Sequence, residues 1–209
     1  ARNSSELPRI IHLVESARQR FEKLADTTIT ATINVIAASS TMEFSRITGG
    51  ALPDWGAAVA VPAERLIIFA LVSGKKTLEQ SIAHEVSHVL LGVLAKERVP
   101  RWFDEGLAMF MAGEWSIYDS FRLARGALVS ELVPLSRIEN VLTFHQDRAW
   151  LAYTQSFAAV TTLLEQMTDN ERSAFMRGLN RTPFDESLAI ASNIRRSAFE
   201  ENWNATATQ

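Results

Sequence analysis

Ser81-Ile82-Ala83-His84-Glu85-Val86-Ser87-His88 lies inside a segment whose apolar residues recur with helical spacing. On a helix, positions i and i+4 share one face, with Cβ atoms about 5–6 Å apart. His84 and His88 can therefore place two imidazoles on one divalent metal. Glu85 lies about 100° round from His84, at roughly 3.6 residues per turn. From there it reaches a water at the metal without being a ligand itself. The competing reading is a pair of core histidines on a buried helix. Thr77-Leu78-Glu79-Gln80 opens this helix as a capping box, with Thr at the N-cap and Gln at N3. The helix is expected to run to about Ala95. Ile82, Val86, Val89, Leu90 and Val93 form its core stripe. Ser81, His84, His88 and Gly92 fall on another face, so the histidines leave the apolar stripe intact.

A third donor decides between the two readings. Val99-Pro100-Arg101-Trp102-Phe103-Asp104-Glu105-Gly106-Leu107-Ala108 reads as a second helix, with Pro near its first position and Gly113 as its stop. The spacing from His88 to Glu105 leaves room for the first helix to end, a short turn, and a return past the metal. Two His, one carboxylate and an open position for water make a catalytic zinc site. His84, His88 and Glu105 are the candidate ligands, for one Zn2+ per chain.

His84-Glu-Val-Ser-His88 followed by Pro100-x-Trp102-x-x-Glu105-Gly106-Leu107-Ala108 resembles the gluzincin metallopeptidases, in particular the compact peptidase-MA-like domains. Ala152-Tyr153-Thr154-Gln155-Ser156 and Phe199-Glu200-x-x-Trp203 extend the match. They stand where such domains place a tyrosine-bearing helix and a closing aromatic helix. The resemblance implies a zincin-like fold and hydrolysis of peptide bonds by a metal-activated water. Glu85 would then be the general base, later passing the proton to the leaving amine. It also implies a donor to the tetrahedral oxyanion. Tyr153 is the first candidate, its alternative being simple core packing on the apolar stripe of its own helix. His145 is the second, its alternative being an exposed loop histidine. In gluzincins a substrate peptide pairs with an edge strand beside the metal helix, a place that 57–61 or 66–70 would take here. An ordinary hairpin is the alternative. Some gluzincins hold a ligating His with an acid one turn after the third ligand. That position is Met109, so Asp104, Glu114, Asp119 or a backbone carbonyl must substitute.

The remaining sequence fits a metallopeptidase of α+β class. The 209 residues, 47% hydrophobic and 22% charged, suit a single domain over 1–209 with a sizeable core. Its approximate lobes would be 1–95, carrying a small sheet and the H-E-x-x-H helix, and a helical 96–209 carrying the third ligand. Residues 8–25 read as an amphipathic helix with Ile10, Leu13, Val14, Ala17, Phe21 and Leu24 inward and His12 on the surface. Strands are expected at 28–37, 55–61 and 66–71, with turns at Gly49-Gly50 and Pro53-Asp54. Further helices are expected at 117–132 (Phe121, Ala124, Leu128 and Leu132 along one face), 148–167, 169–179, 184–191 and around Phe199 and Trp203. Residues 136–140 read as a polar connector, and 205–209 as a fraying end. Three strands followed by helices make segregated α+β.

Net charge is −3 and the basic residues are scattered, so no nucleic-acid partner is expected. No apolar run approaches about 18 residues, so no membrane span is expected. Cysteine is absent, which excludes disulfides, thiolate ligands and cysteine nucleophiles. The chain begins at Ala1 with no signal-like segment, which points to a processed soluble or extracytoplasmic part of a longer or anchored protein. The expected partner is a peptide or protein substrate. Two rivals compete with the enzyme: a zinc-bound pseudopeptidase that holds a peptide without cutting it, and a helical interaction module. Intact Glu85 argues against the first, and Glu105-Gly-Leu-Ala against the second. No Gly-x-Met-Glu-Asn-type element for gripping a substrate N-terminus is present, which favours an endopeptidase.

Overall fold

Arg18 and Glu22 on the first helix decide where the sheet begins. The Arg18 guanidinium donates to the carbonyls of Ile29 (2.6 Å) and Ala31 (2.9 Å), and the Glu22 carboxylate accepts from the Ile29 N–H (2.7 Å). Backbone groups spent on side chains cannot join a ladder. The first strand therefore starts at Asn34 and not at Thr28. The computed structural model describes residues 6–50, 58–71, 77–128 and 132–206.

Helix α1 (Leu7–Ala25) buries Ile10, Val14, Ala17 and Phe21 along one stripe and ends at Asp26 in the left-handed region. The sheet has the order β1-β3-β2. Strand β1 (Asn34–Ala38) pairs parallel with β3 (Leu66–Ala70), with Val35 opposite Ile67 and Ala37 opposite Phe69. Strand β2 (Ala58–Val61) pairs antiparallel with the other side of β3, with Val59 opposite Ile68. Strand β3 is covered on both faces, which is why it reads as an unbroken apolar run. Ile67 and Phe69 enter the main core, while Ile68 and Ala70 meet Ala38 and Phe44 in a smaller cluster. Phe44 belongs to α2 (Thr41–Ile47), between β1 and the expected turn at Gly49-Gly50. There Ser40 caps the helix by accepting from the Glu43 N–H (3.1 Å). Of the two candidate edge strands, 66–70 is thus excluded, and β2 is an edge among the described residues. Pro53-Asp54 and the start of the expected 55–61 strand lie outside the described residues.

A short 3-10 turn, Pro62–Glu64, leads out of β2 and rests on α3 (Leu78–Leu94). A Cβ on Gly92 would lie 2.6 Å from Pro62 Cβ, so glycine there lets the turn sit directly on the helix. Gly92 is one turn beyond His88, so this contact seats β2 beside the histidine face. The capping box of α3 forms as expected: Gln80 N–H donates to Thr77 Oγ1 and Thr77 N–H donates to Gln80 Oε1, each at 3.1 Å. Ile82, Val86, Val89 and Leu90 are buried, but Val93 is 37% exposed, and Leu91 and Leu94 complete the stripe in its stead.

Helix α4 (Arg101–Ala112) starts after Pro100 and stops at Gly113, whose φ of 63° supplies the left-handed end. It is followed by α5 (Ile117–Leu128), a 3-10 segment Leu135–Thr143, α6 (Gln146–Glu165), α7 (Asp169–Gly178), α8 (Phe184–Ser192) and α9 (Arg196–Thr206). The Thr168–Glu171 capping box of α7 forms as expected. On α5, Phe121 and Ala124 face solvent, contrary to the expected stripe, and the side turned inward presents Gly126 to Leu151. Residues 129–131 and 207–209, and the Leu128 side chain, lie outside what is described. The expected connector 136–140 is part of the 3-10 segment, where Leu135, Ile138 and Val141 are buried at every third position.

Trp102 and Phe103 anchor one side of α4 in an aromatic cluster. Trp102 stacks on Phe199 (5.7 Å between centroids), and Phe103 meets Phe184 edge-on (4.9 Å). The Trp102 indole donates to Glu200 Oε1 (2.8 Å), tying α9 to α4. Elsewhere on α4, Gly106 lies so close to α6 that a Cβ would stand 2.2 Å from the Ser156 carbonyl oxygen. The architecture is a mostly helical α+β fold with a small N-terminal sheet. No helix among the described residues is long and apolar enough to cross a membrane.

Candidate metal centre

Helix α3 ends, the chain turns, and α4 comes back against it. At their crossing the Nε2 atoms of His84 and His88 each lie 3.6 Å from Glu105 Oε2. The two imidazole rings are 4.9 Å apart, as i, i+4 spacing requires. One ligand atom from each of the three residues lies within 4.8 Å of the others. The cluster is buried: His84 is 9% and Glu105 3% exposed.

Each imidazole also has an acid on its outer nitrogen. His88 Nδ1 is 2.6 Å from Asp104 Oδ1, and His84 Nδ1 is 3.2 Å from Glu114 Oε1. The Asp104 acceptor at His88 Nδ1 keeps the proton there and turns the Nε2 lone pair inward, the orientation a ligating histidine needs, while Glu114 stands at ion-pair distance from His84 Nδ1. Two imidazole nitrogens and one carboxylate oxygen suit a first-row divalent ion such as zinc. The residues present therefore fit a metal in both their inner and their outer contacts.

Asp104 and Glu114 are two of the substitutes that Met109 makes necessary. Met109 itself is buried and apolar. Glu114 reaches His84 from beyond the end of α4. Gly113 turns the chain, its carbonyl accepts from Gln80 Nε2 (3.3 Å), and Trp115 stacks on Phe157 at 4.5 Å. The third substitute, Asp119, is engaged elsewhere: it accepts from the Ser116 N–H (3.0 Å) and hydroxyl (2.5 Å) at the start of α5.

Arg101 is the residue that motif spacing passes over. Its Nη2 is 2.5 Å from Glu105 Oε1 and its Nη1 donates to Asp104 Oδ2 (3.3 Å). The signal was available as an Arg–Glu pair at i, i+4 on one helix.

Charge in the centre is strongly coupled. Burial alone would raise the Glu105 carboxyl, but the His84 hydrogen bond and the charges of His88 and Arg101 bring it down to about 2. Burial alone would lower His88, and the Asp104 charge and hydrogen bond overcome it, so His88 is raised. Among the described residues, the acids Glu85, Asp104, Glu105 and Glu114 gather here around the permanent cation Arg101, which favours a bound cation.

Glu85 is 8% exposed and follows His84 on α3. Tyr153 is partly buried on α6 at the margin of the core, with Trp150 edge-on beside it (6.4 Å). Burial and then the Glu105 carboxylate push its hydroxyl up, Arg101 opposes, and Glu85 adds to the rise. The phenol thus stays protonated as a donor and lies within electrostatic reach of Glu105, Arg101 and Glu85. His145 is exposed at the N-cap of α6. It stands about 12 Å along the helix axis from Tyr153 at roughly 1.5 Å per residue. It is an exposed histidine, and no hydrogen bond or ion pair among the described residues joins it to the cluster.

A buried pair of histidines at H-E-x-x-H spacing, closed by a glutamate from the next helix, is a cluster that could hold a metal ion. The family model described as Peptidase MA superfamily matches residues 17–209, and the chain belongs to that superfamily. No curated protein matches it.

Proposed function

We propose that this protein is a zinc metallopeptidase that cleaves peptide bonds within protein chains, holding one Zn2+ on His84, His88 and Glu105. When bound, the zinc supplies Lewis acidity, which makes water a nucleophile near neutral pH and polarises the scissile carbonyl. The Glu85 carboxylate takes a proton from the attacking water and passes it to the leaving amine. The Tyr153 hydroxyl donates to the oxyanion, a contact worth about 2.7–4 kcal/mol where such donors have been removed. Asp104 and Glu114 hold the two imidazoles in orientation. An extended substrate pairs with the edge of β2, which has no partner strand on its far side among the described residues.

The observation that carries this reading is the buried cluster itself, in which both imidazoles turn Nε2 to one carboxylate oxygen and Nδ1 to an acid. The test begins with elemental analysis of wild type, His84→Ala and Glu105→Ala. About one zinc per chain is expected, lost in both variants. Wild type should cleave an unfolded protein substrate, and Glu85→Gln should keep its zinc while losing cleavage. Zinc without cleavage in wild type would leave a peptide-binding domain, and absence of zinc after supplementation would refute the metal centre.

A further inference from the structure

We infer that Arg101 is a positioning residue that makes Glu105 bind the metal through one oxygen only, an inference that rests on the zinc reading above. The two oxygens of Glu105 have different neighbours. Oε2 faces both histidines, 3.6 Å from each Nε2, while Oε1 is held 2.5 Å from Arg101 Nη2. A carboxylate is free to ligate through one oxygen or both. A guanidinium hydrogen bond on one oxygen withdraws that oxygen from the metal.

The clamp is built into the fold. Arg101 stands one turn before Glu105 on the same helix, so the reach of its side chain is set by α4. Its second arm goes to Asp104 Oδ2 (3.3 Å), whose other oxygen holds His88 Nδ1 (2.6 Å). One planar fork therefore fixes both the third ligand and the acceptor of the second ligand. The backbone of Arg101 is fixed too: its N–H donates to Glu139 Oε1 (2.8 Å) from the 3-10 segment, and Arg98 donates to Glu139 Oε2 (3.2 Å). A surface i, i+4 pair would be exposed, whereas here the carboxylate is 3% and the guanidinium side chain 26% exposed. Chemically, a carboxylate shared with a guanidinium gives less charge to the metal, which leaves the metal a stronger Lewis acid with positions open for substrate and water.

The test uses Co2+ in place of zinc, because visible absorption of cobalt reports coordination geometry without any turnover. Wild type should show the intense bands of a four-coordinate site. In Arg101→Met, Oε1 is released to the metal, and the bands should fall by about half or more as coordination number rises. Arg101→Lys keeps one donor on Oε1 and should retain bands close to wild type. Unchanged bands in Arg101→Met would overturn the inference and leave the zinc reading standing. A wild type that takes up no Co2+ would overturn both. Should Arg101→Met fail to fold, X-ray absorption on the zinc-loaded wild type decides: one-oxygen ligation by Glu105 supports the inference and two-oxygen ligation overturns it.

Discussion

Replacing Gly106 by alanine adds a methyl group where the backbone of α6 already stands. The new Cβ would lie 2.2 Å from the Ser156 carbonyl oxygen and 2.6 Å from Val160 Cγ2, against 3.4–4 Å for ordinary contact. The helices must therefore part by about 1 Å, in an interior packed to crystal-like density. Neither yields easily. Helix α4 is held on another side by Trp102 and Phe103, both fully buried, and α6 by Gln155, whose side chain accepts from the Val133 N–H (2.9 Å) and donates to the Val133 carbonyl (3.0 Å). Alanine recovers about 0.5–1 kcal/mol of helix propensity, while overpacking costs about 1–3 kcal/mol. The net loss should be about 1–2 kcal/mol, or roughly 2–8 °C in Tm for a chain of this size. Thermal unfolding of the metal-free protein measures it, since bound metal would mask the loss. Glu105 is the next residue, so zinc affinity should fall with stability. A Tm raised by the propensity gain, with zinc affinity unchanged, would refute the close approach of α4 and α6.

Three further outcomes follow from the centre and its surroundings. Asp104→Ala and Glu114→Ala should each weaken zinc binding by about 10–100-fold, read by competition with a chromophoric chelator, and equal affinity in all three proteins would count against an orienting role. In the metal-free protein Glu105 is held at about 2 against an ordinary 4.5. A depressed carboxyl contributes stability that is present above its unfolded value and is lost as pH falls, so the denaturation midpoint should drop from pH 4.5 toward 2, less steeply in Glu105→Gln. Gly92→Ala should push Pro62 and β2 off α3, raising KM for a peptide by about tenfold, the equivalent of one or two main-chain hydrogen bonds, with zinc content intact. A fall in kcat alone would show that β2 does not bind substrate.

The clustering of His84, His88 and Glu105 was legible: the two histidines share a face by helical spacing, and Glu105 is marked by the Gly-Leu-Ala that follows it. The capping boxes at Thr77 and Thr168 were equally plain, since they are local chemistry. Misreadings arose where tertiary contacts override local signals. The β-branched run from Thr28 looks like strand, but Arg18 and Glu22 take its backbone groups. Residues 136–140 look polar because a 3-10 segment buries only every third residue. Helix α2 buries a single side chain, Phe44, too little to give a period. Which acid replaces Met109 was also beyond a linear reading, because Glu114 reaches His84 only through the left-handed turn at Gly113.

His84, His88, Arg101, Asp104, Glu105 and Glu114 all belong to α3, α4 and the short connections at their ends. This locality bears on the order of assembly. Closing a short loop is fast and entropically cheap, whereas bringing in distant segments is slow. The donors can gather in the nascent hairpin before β1 finds β3 across the intervening chain, and before α6 brings in Tyr153. Zinc present during refolding would then act as a folding template, bound before the sheet and α6 are in place. Stopped-flow refolding should accordingly run faster with zinc than without it, and identical rates would place metal binding after folding.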